Sequence, residues 1–128
     1  MRKIQFESTS EAEEALAEDY EIAQAVIDEL FHSVQEAAQS LVSKYSIEDE
    51  VDTELVEEYL KIGFCESVVL FLDEGVLEGR KDVHELIERI RNNPVENAMT
   101  VSGRVATRHQ DLMILSEAIL AAKSGAEE

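Results

Sequence analysis

One acidic residue interrupts the most apolar stretch of the chain. Residues 62–72 read IGFCESVVLFL and are otherwise apolar, Gly, Cys or Ser, and the acid among them is Glu66. A carboxylate in such a place can bind a metal ion, act as a general acid or base with a raised pKa, or pair with a cation in the core. Because an isolated buried charge costs several kcal/mol, we expect Glu66 to have a partner.

A helical projection of the sequence offers a counter-charge for Glu66. At 100° per residue, Glu66 lies about 20° from Leu55, in the middle of an apolar face. On a helix near the end of the chain, Arg108 lies about 20° from Val101, again as the one charge in the middle of an apolar stripe. We predict that Glu66 and Arg108 form a buried pair, within one chain or between two. A catalytic role for Glu66 in a cleft stays open as the alternative.

A second motif lies in the segment RVATRH, residues 104–109. The Arg-x4-His spacing of Arg104 and His109 resembles the motif of HEPN domains, a family of small helical bundles that includes many ribonucleases. The resemblance implies metal-independent RNA cleavage by Arg104 and His109 at a dimer cleft. The structural alternative is a partly exposed arginine and histidine at the start of a helix.

The remaining ligand-type residues do not favour a metal or cofactor site. Glu29 and His32 have the Glu-x-x-His spacing of diiron bundles, but a helical projection places both about 140° to 160° from the apolar stripe. Cys65 is the single cysteine, which excludes an intrachain disulfide, and we predict that it is a buried, unreactive thiol. We therefore predict no metal ion and no cofactor.

The negative charge is concentrated in the first half of the chain. The net charge is -18; residues 1–60 carry 17 acids and 3 bases, a net of 3 − 17 = -14. Binding to nucleic acid or to an anionic membrane requires clustered Lys and Arg, so we predict neither. We predict instead an acidic surface that binds a basic protein partner, and in a sharper version mimics a nucleic acid. The alternative is that the charge only keeps the protein in solution. The acidic surface consists of Glu48, Asp49, Glu50, Asp52, Glu54, Glu57 and Glu58.

Helices must position these residues. Between residues 10 and 45 nine apolar residues recur every 3.6 residues or so, within about 40° of one line, which predicts one continuous helix beginning with a Ser10–Glu13 capping box. That helix would be about 50 Å long, more than a compact domain of this size can cover. Either it breaks, or a second chain covers the surplus; the second option predicts a homodimer. The nine residues are Leu16, Tyr20, Ala23, Ile27, Leu30, Val34, Ala38, Leu41 and Tyr45.

Three further helices are predicted, so the fold class is an all-α, four-helix bundle-like domain. The first covers Thr53 to Asp73, the second is the short segment DVHELIERIRNN that Pro94 ends, and the third covers Val101 to Lys123. The predicted organisation is an arm at 1–9, one helical domain at 10–125 and a tail at 126–128. The sequence offers no stretch long enough to span a bilayer, and we expect a cytoplasmic location.

The pattern as a whole favours a non-catalytic, self-associating adaptor or regulator over an enzyme. The alternative function is the HEPN-like ribonuclease that uses Arg104 and His109.

Overall fold

The computed structural model describes residues 5–75, 80–105 and 110–126, and the described residues contain helices and no strand. The predicted all-α class is confirmed, although six α-helices are present in the described ranges where four were predicted. They are α1 (Thr9–Glu14), which continues into a π-helical turn (Ala15–Asp19), α2 (Gln24–Lys44), α3 (Thr53–Asp73), α4 (Arg80–Asn92), α5 (Pro94–Val105) and α6 (Gln110–Ala126).

The predicted continuous helix over residues 10–45 is wrong, because the chain breaks at 20–23. The π-helical turn ends there, Glu21 adopts a left-handed conformation with φ 55°, and the N–H of Ile22 donates to the carbonyl of Leu16 at 3.0 Å. Left-handed residues are a common way to end a helix, although glycine usually supplies them. Since the helix breaks, no surplus length remains for a second chain to cover, and that argument for a dimer fails.

Helix α1 begins at Thr9, and its N-cap lies two residues before the predicted one. Ser8, rather than Ser10, is the N-cap; its Oγ accepts the N–H of Glu11 at 3.1 Å, and Glu11 accepts the N–H of Glu7 at 3.3 Å. The type of cap was predicted and its position was not, because Ser8 and Ser10 both precede an acid by three residues.

Helix α3 has the predicted bounds and is the centre of the fold. Asp52 caps it by accepting the N–H of Glu54, and Gly75, with φ 75°, provides the left-handed residue just past its end. Residues 62–69 are all buried, as expected of a helix that is apolar on every side. Helix α3 contacts α1, α2, α5 and α6.

The other helices surround α2 and α3. Helix α2 buries the predicted stripe of Ile27, Leu30, Val34, Ala38 and Leu41, and it contacts α3, α4 and α5. Helix α6 contacts α5 and α3.

The predicted helix from Val101 to Lys123 is also corrected. Its first described residues belong to α5, which begins at Pro94, and the later ones belong to α6, whose predicted apolar residues Leu112, Leu115 and Ile119 are buried. Pro94 follows the end of α4 as predicted, and it also opens α5, where its fixed φ and missing N–H are tolerated.

Candidate functional site

Glu66 is buried, and one of its partners is a backbone group far away in sequence. Its side chain is 4% exposed, and Oε2 accepts the N–H of Phe6 at 2.8 Å. Phe6 lies in the predicted arm at 1–9, yet its ring is also buried at 4% exposure. A hydrogen bond to an ionised group is roughly twice as strong as a neutral one, so this contact offsets part of the cost of burying the carboxylate.

The predicted counter-charge of Glu66 lies outside the described residues. Arg108 falls in the range 106–109, so its pairing with Glu66 stays a prediction. Sequence reasoning missed the contact with Phe6, because the two residues are 60 positions apart and a backbone N–H leaves no trace in the residue types.

Cys65 is buried beside Glu66. Burial raises the pKa of the thiol far above its ordinary value of 9.0, and the negative charges of Glu66 and Glu13 raise it further. The thiolate is the reactive form of cysteine, so this environment disfavours nucleophilic chemistry. The predicted burial of Cys65 is confirmed, and the low reactivity of its thiol stays a prediction.

The predicted acidic surface begins on a closed turn between α2 and α3. Ile47 and Val51 are buried at 3% and 6% exposure. The N–H of Ile47 donates to the carbonyl of Val42 at 3.2 Å, and the N–H of Val51 donates to the carbonyl of Ile47 at 3.1 Å. These anchors leave the side chains between Ile47 and Val51 exposed to solvent. They are Glu48, Asp49 and Glu50.

The surface continues onto the first two turns of α3. Asp52 and Glu54 are exposed, while Glu57 and Glu58 are half-buried, and Glu57 accepts a hydrogen bond from the side chain of Gln39 at 2.9 Å. Acids near a helix N-terminus are also stabilised by the helix dipole. This local benefit accounts for a carboxylate at the cap and in the first turn, but not for those on the preceding turn.

No cation neutralises the acidic surface within the described part of the chain. Residues 45–60 contain no Lys or Arg. The two flanking lysines lie over aromatic rings, with Nζ of Lys44 5.6 Å from the ring centre of Tyr45 and Nζ of Lys61 5.7 Å from that of Phe31. Across the described ranges, no Lys, Arg or His forms an ion pair with any of the seven carboxylates.

The Glu29 and His32 side chains do not converge on a common point. Glu29 lies 3.5 Å from Nδ1 of His84 and 4.0 Å from Arg91, both on α4, whereas Nε2 of His32 lies 3.1 Å from Glu36. These groups are largely exposed, and surface pairs of this kind contribute little to stability. The described residues contain no cluster of three or more His, Cys, Asp or Glu side chains able to hold a metal ion.

A small cavity lies between α3, α4 and α5. Its volume is about 100 Å³, well below the roughly 300–1,000 Å³ of pockets that hold drug-sized ligands. Its walls are mainly the apolar side chains of Phe64, Phe71, Leu86 and Val101. The polar groups of Asn97 at its edge already donate to backbone carbonyls of Arg89 and Asn93.

The Arg-x4-His motif cannot be placed. His109 lies outside the described residues and the side chain of Arg104 is not described, so the HEPN-like ribonuclease stays a prediction. Comparisons with protein-family models, curated proteins and solved structures gave no match to this chain. Among the described helices, none combines the length and apolar character needed to cross a membrane.

Proposed function

We propose that this chain is a non-catalytic interaction domain, an adaptor or regulator, whose acidic surface binds a basic segment of a partner protein. The acidic surface is the set of seven carboxylates from Glu48 to Glu58 defined above. The proposal includes self-association as a homodimer. One observation carries the binding role: the buried Ile47 and Val51 fix the backbone of the turn, which we call the fixed frame. The exposed acids between them, at 48–50, form no ion pair within the described residues.

A fixed frame matters because each contact of this kind is weak. An exposed ion pair is worth about 0.2–1 kcal/mol, partly because two flexible side chains must be ordered. The backbone that carries these acids, a closed turn and the start of a helix, is already ordered before binding. The entropy cost of binding therefore comes mainly from ordering the partner's side chains. Seven such groups together support a specific but salt-sensitive complex.

A nucleic-acid mimic is the sharper version of the proposal. In it the partner is a nucleic-acid-binding protein, and the carboxylates take the place of phosphates on its basic face. Because the helix predicted over 10–45 is broken, a long, negatively charged helix no longer supports this version. Its support is the compact acidic surface. Competition decides between the two versions, since duplex DNA should displace the chain only from a partner that binds DNA through the same face.

The binding test uses an octa-arginine peptide as a defined basic probe. The test variant is Glu48→Gln/Asp49→Asn/Glu50→Gln. The matched control is Glu14→Gln/Glu18→Gln/Asp19→Asn, which removes three exposed acids outside the acidic surface. Both variants have a net charge of -18 + 3 = -15.

Titration calorimetry at two salt concentrations gives the result. Loss of three pairs at about 0.2–1 kcal/mol each predicts about threefold to a hundredfold weaker binding by the test variant. The control should change the Kd by less than about twofold. Equal weakening in both variants would mean that only net charge matters, which is the solubility explanation. A pull-down from cell extract with all three proteins then identifies the natural partner as a basic protein that the test variant loses and the control retains.

A further inference from the structure

The residues before α2 bind α3 through contacts that a second copy of the chain can supply equally well. We call residues 5–19 the docking segment. It buries Phe6, Ala12 and Leu16, α1 contacts α3, and the N–H of Phe6 donates to Glu66 in the middle of α3. These contacts are non-covalent. The docking segment also contacts α2 through its π-helical turn, and the side chain of Gln24 on α2 donates to Glu13. A docking segment from another chain could therefore bind at the same place on α3, which we call the groove.

The link between the docking segment and α2 is short and strained. It consists of residues 20–23, and Glu21 in it has φ 55°, a conformation that residues other than glycine adopt at a cost. The apolar spacing Leu16, Tyr20, Ala23, Ile27 nevertheless runs through the link at a helical period. The sequence of the link is thus compatible with two states, the bend of the monomer and an uninterrupted helix.

We infer that the chain forms a domain-swapped homodimer in which residues 20–23 become helical. The docking segment of each copy then binds α3 of the other, with its Phe6 N–H donating to the partner subunit's Glu66. The occupant of the groove is thereby a second copy of this chain. This inference rests on the self-association in the proposed function and is independent of binding by the acidic surface.

The conformation of residues 20–23 distinguishes monomer from dimer, because the contacts of the docking segment can form in both. In the monomer the bend also buries Ile22, and the hydroxyl of Tyr20 donates to Asp73 at 2.6 Å. Glycine at position 21 favours the bend, since it adopts positive φ freely and is a poor helix former. Alanine favours the helix for the opposite reasons. The pair Glu21→Gly and Glu21→Ala removes the same side chain, so the comparison isolates the backbone.

Light scattering on the two variants from about 10 μM to 1 mM is the first measurement. Between the two variants, the equilibrium constant between the bent and the helical link should differ by about tenfold or more. Because each dimer contains two links, the dimer Kd should differ by about a hundredfold. We expect Glu21→Ala to form the tighter dimer and Glu21→Gly to be mostly monomeric. Monomers at every concentration for both variants, or dimers of equal Kd, would overturn the inference.

A distance measurement separates the swap from a dimer made by another surface. Spin labels on Glu14→Cys and Ser40→Cys, both exposed positions, are diluted with unlabelled chain so that only distances within one chain are seen. An uninterrupted helix places these positions about 39 Å apart. We expect that distance in the dimer and a different one in the monomer. A dimer with the monomer's distance would refute the swap and indicate another interface, such as the face of α6 with the exposed Met113 and Leu120.

Salt distinguishes the failure of this inference from failure of the proposed binding role. Two chains of charge -18 repel each other, so the swapped dimer should become tighter as salt increases. Peptide binding by the acidic surface should become weaker. A chain that binds the peptide but stays monomeric contradicts the swap and the proposed self-association, but leaves the binding role intact. A dimer that does not bind the peptide contradicts only the binding role.

Discussion

Replacing Glu66 by alanine should destabilise the protein by about 2–4 kcal/mol. The change leaves the buried N–H of Phe6 without its acceptor, which costs about 1–3 kcal/mol, and removes a buried methylene worth about 0.8 kcal/mol. For a domain of this size about 4 °C of melting temperature corresponds to each kcal/mol, so Tm should fall by about 8–16 °C. The control Glu54→Ala removes an exposed acid from the first turn of the same helix and should cost only its interaction with the helix dipole, about 0.3–1 kcal/mol.

Replacing Glu66 by glutamine separates the contact with Phe6 from the predicted pair with Arg108. Glutamine keeps an acceptor for the N–H and loses only the charge, so the hydrogen bond alone predicts a loss of about 1 kcal/mol. A buried pair broken on one side costs about 3–5 kcal/mol instead. A double-mutant cycle with Arg108→Gln then measures the coupling directly.

Urea unfolding and amide hydrogen exchange are the assays. In the wild type the amide of Phe6 should exchange slowly, and in Glu66→Ala its protection should fall by at least about thirtyfold, the exchange equivalent of about 2 kcal/mol. Rapid exchange of that amide in the wild type would refute the contact itself. If Glu66→Gln unfolds together with the wild type, the buried pair is wrong.

The other predictions concern Cys65, Ile47 and two positions of positive φ, Gly75 and Ser46. The thiol of Cys65 should react with a thiol reagent only after unfolding, and because its pKa is raised, the unfolding free energy should fall above pH 9.0 by up to about 1.4 kcal/mol per pH unit. A Cys65→Ala variant should lack that part of the pH dependence, and an unchanged slope would show that other groups cause it. Ile47→Ala should cost about 2–4 kcal/mol in chemical unfolding, because Ile47 anchors the turn that carries the acidic surface; a loss below about 0.5 kcal/mol would contradict its anchoring role. Gly75→Ala should cost about 1–2 kcal/mol from backbone strain alone, since a Cβ there meets no atom within 4 Å, whereas Ser46→Gly, at φ 52°, should stabilise the protein by a similar amount. A rise in Tm for Gly75→Ala, or a fall in Tm for Ser46→Gly, would contradict the strain argument.

Local signals in the sequence were enough to predict α3. Asp52 and Gly75 mark its ends, and the apolar residues between them predict a buried helix whatever surrounds it. The same reasoning failed at residues 20–23, where no Gly or Pro announces a break and the apolar spacing runs on. The bend allows residues 5–19 to contact α3 of the same chain, as Phe6 does at Glu66, and the sequence pattern carries no record of such long-range contacts.

For the candidate site, the sequence predicted which side chains are buried or exposed, but not which groups they contact. The burial of Glu66 and the exposure of Glu48, Asp49 and Glu50 follow from periodicity and charge, because both depend on local sequence. The partner of a buried charge cannot be predicted from local sequence in the same way. It depends on which segments meet in space, and here the segment that meets Glu66 is one that looks like a free arm in the sequence.

Helix α3 connects the two proposals, because its first turns carry part of the acidic surface and its centre receives the docking segment. The proposals use different residues of that helix, from Asp52 to Glu58 for the partner and around Glu66 for the second copy. The two equilibria therefore share no contact, and while α3 stays fixed they are coupled only through long-range charge. Both equilibria still depend on ionic strength, in opposite directions. Low ionic strength favours binding of the basic partner and disfavours the dimer. A bound basic segment would also cancel part of the repulsion between two chains, so the complex with the partner is where a swapped dimer would form most readily.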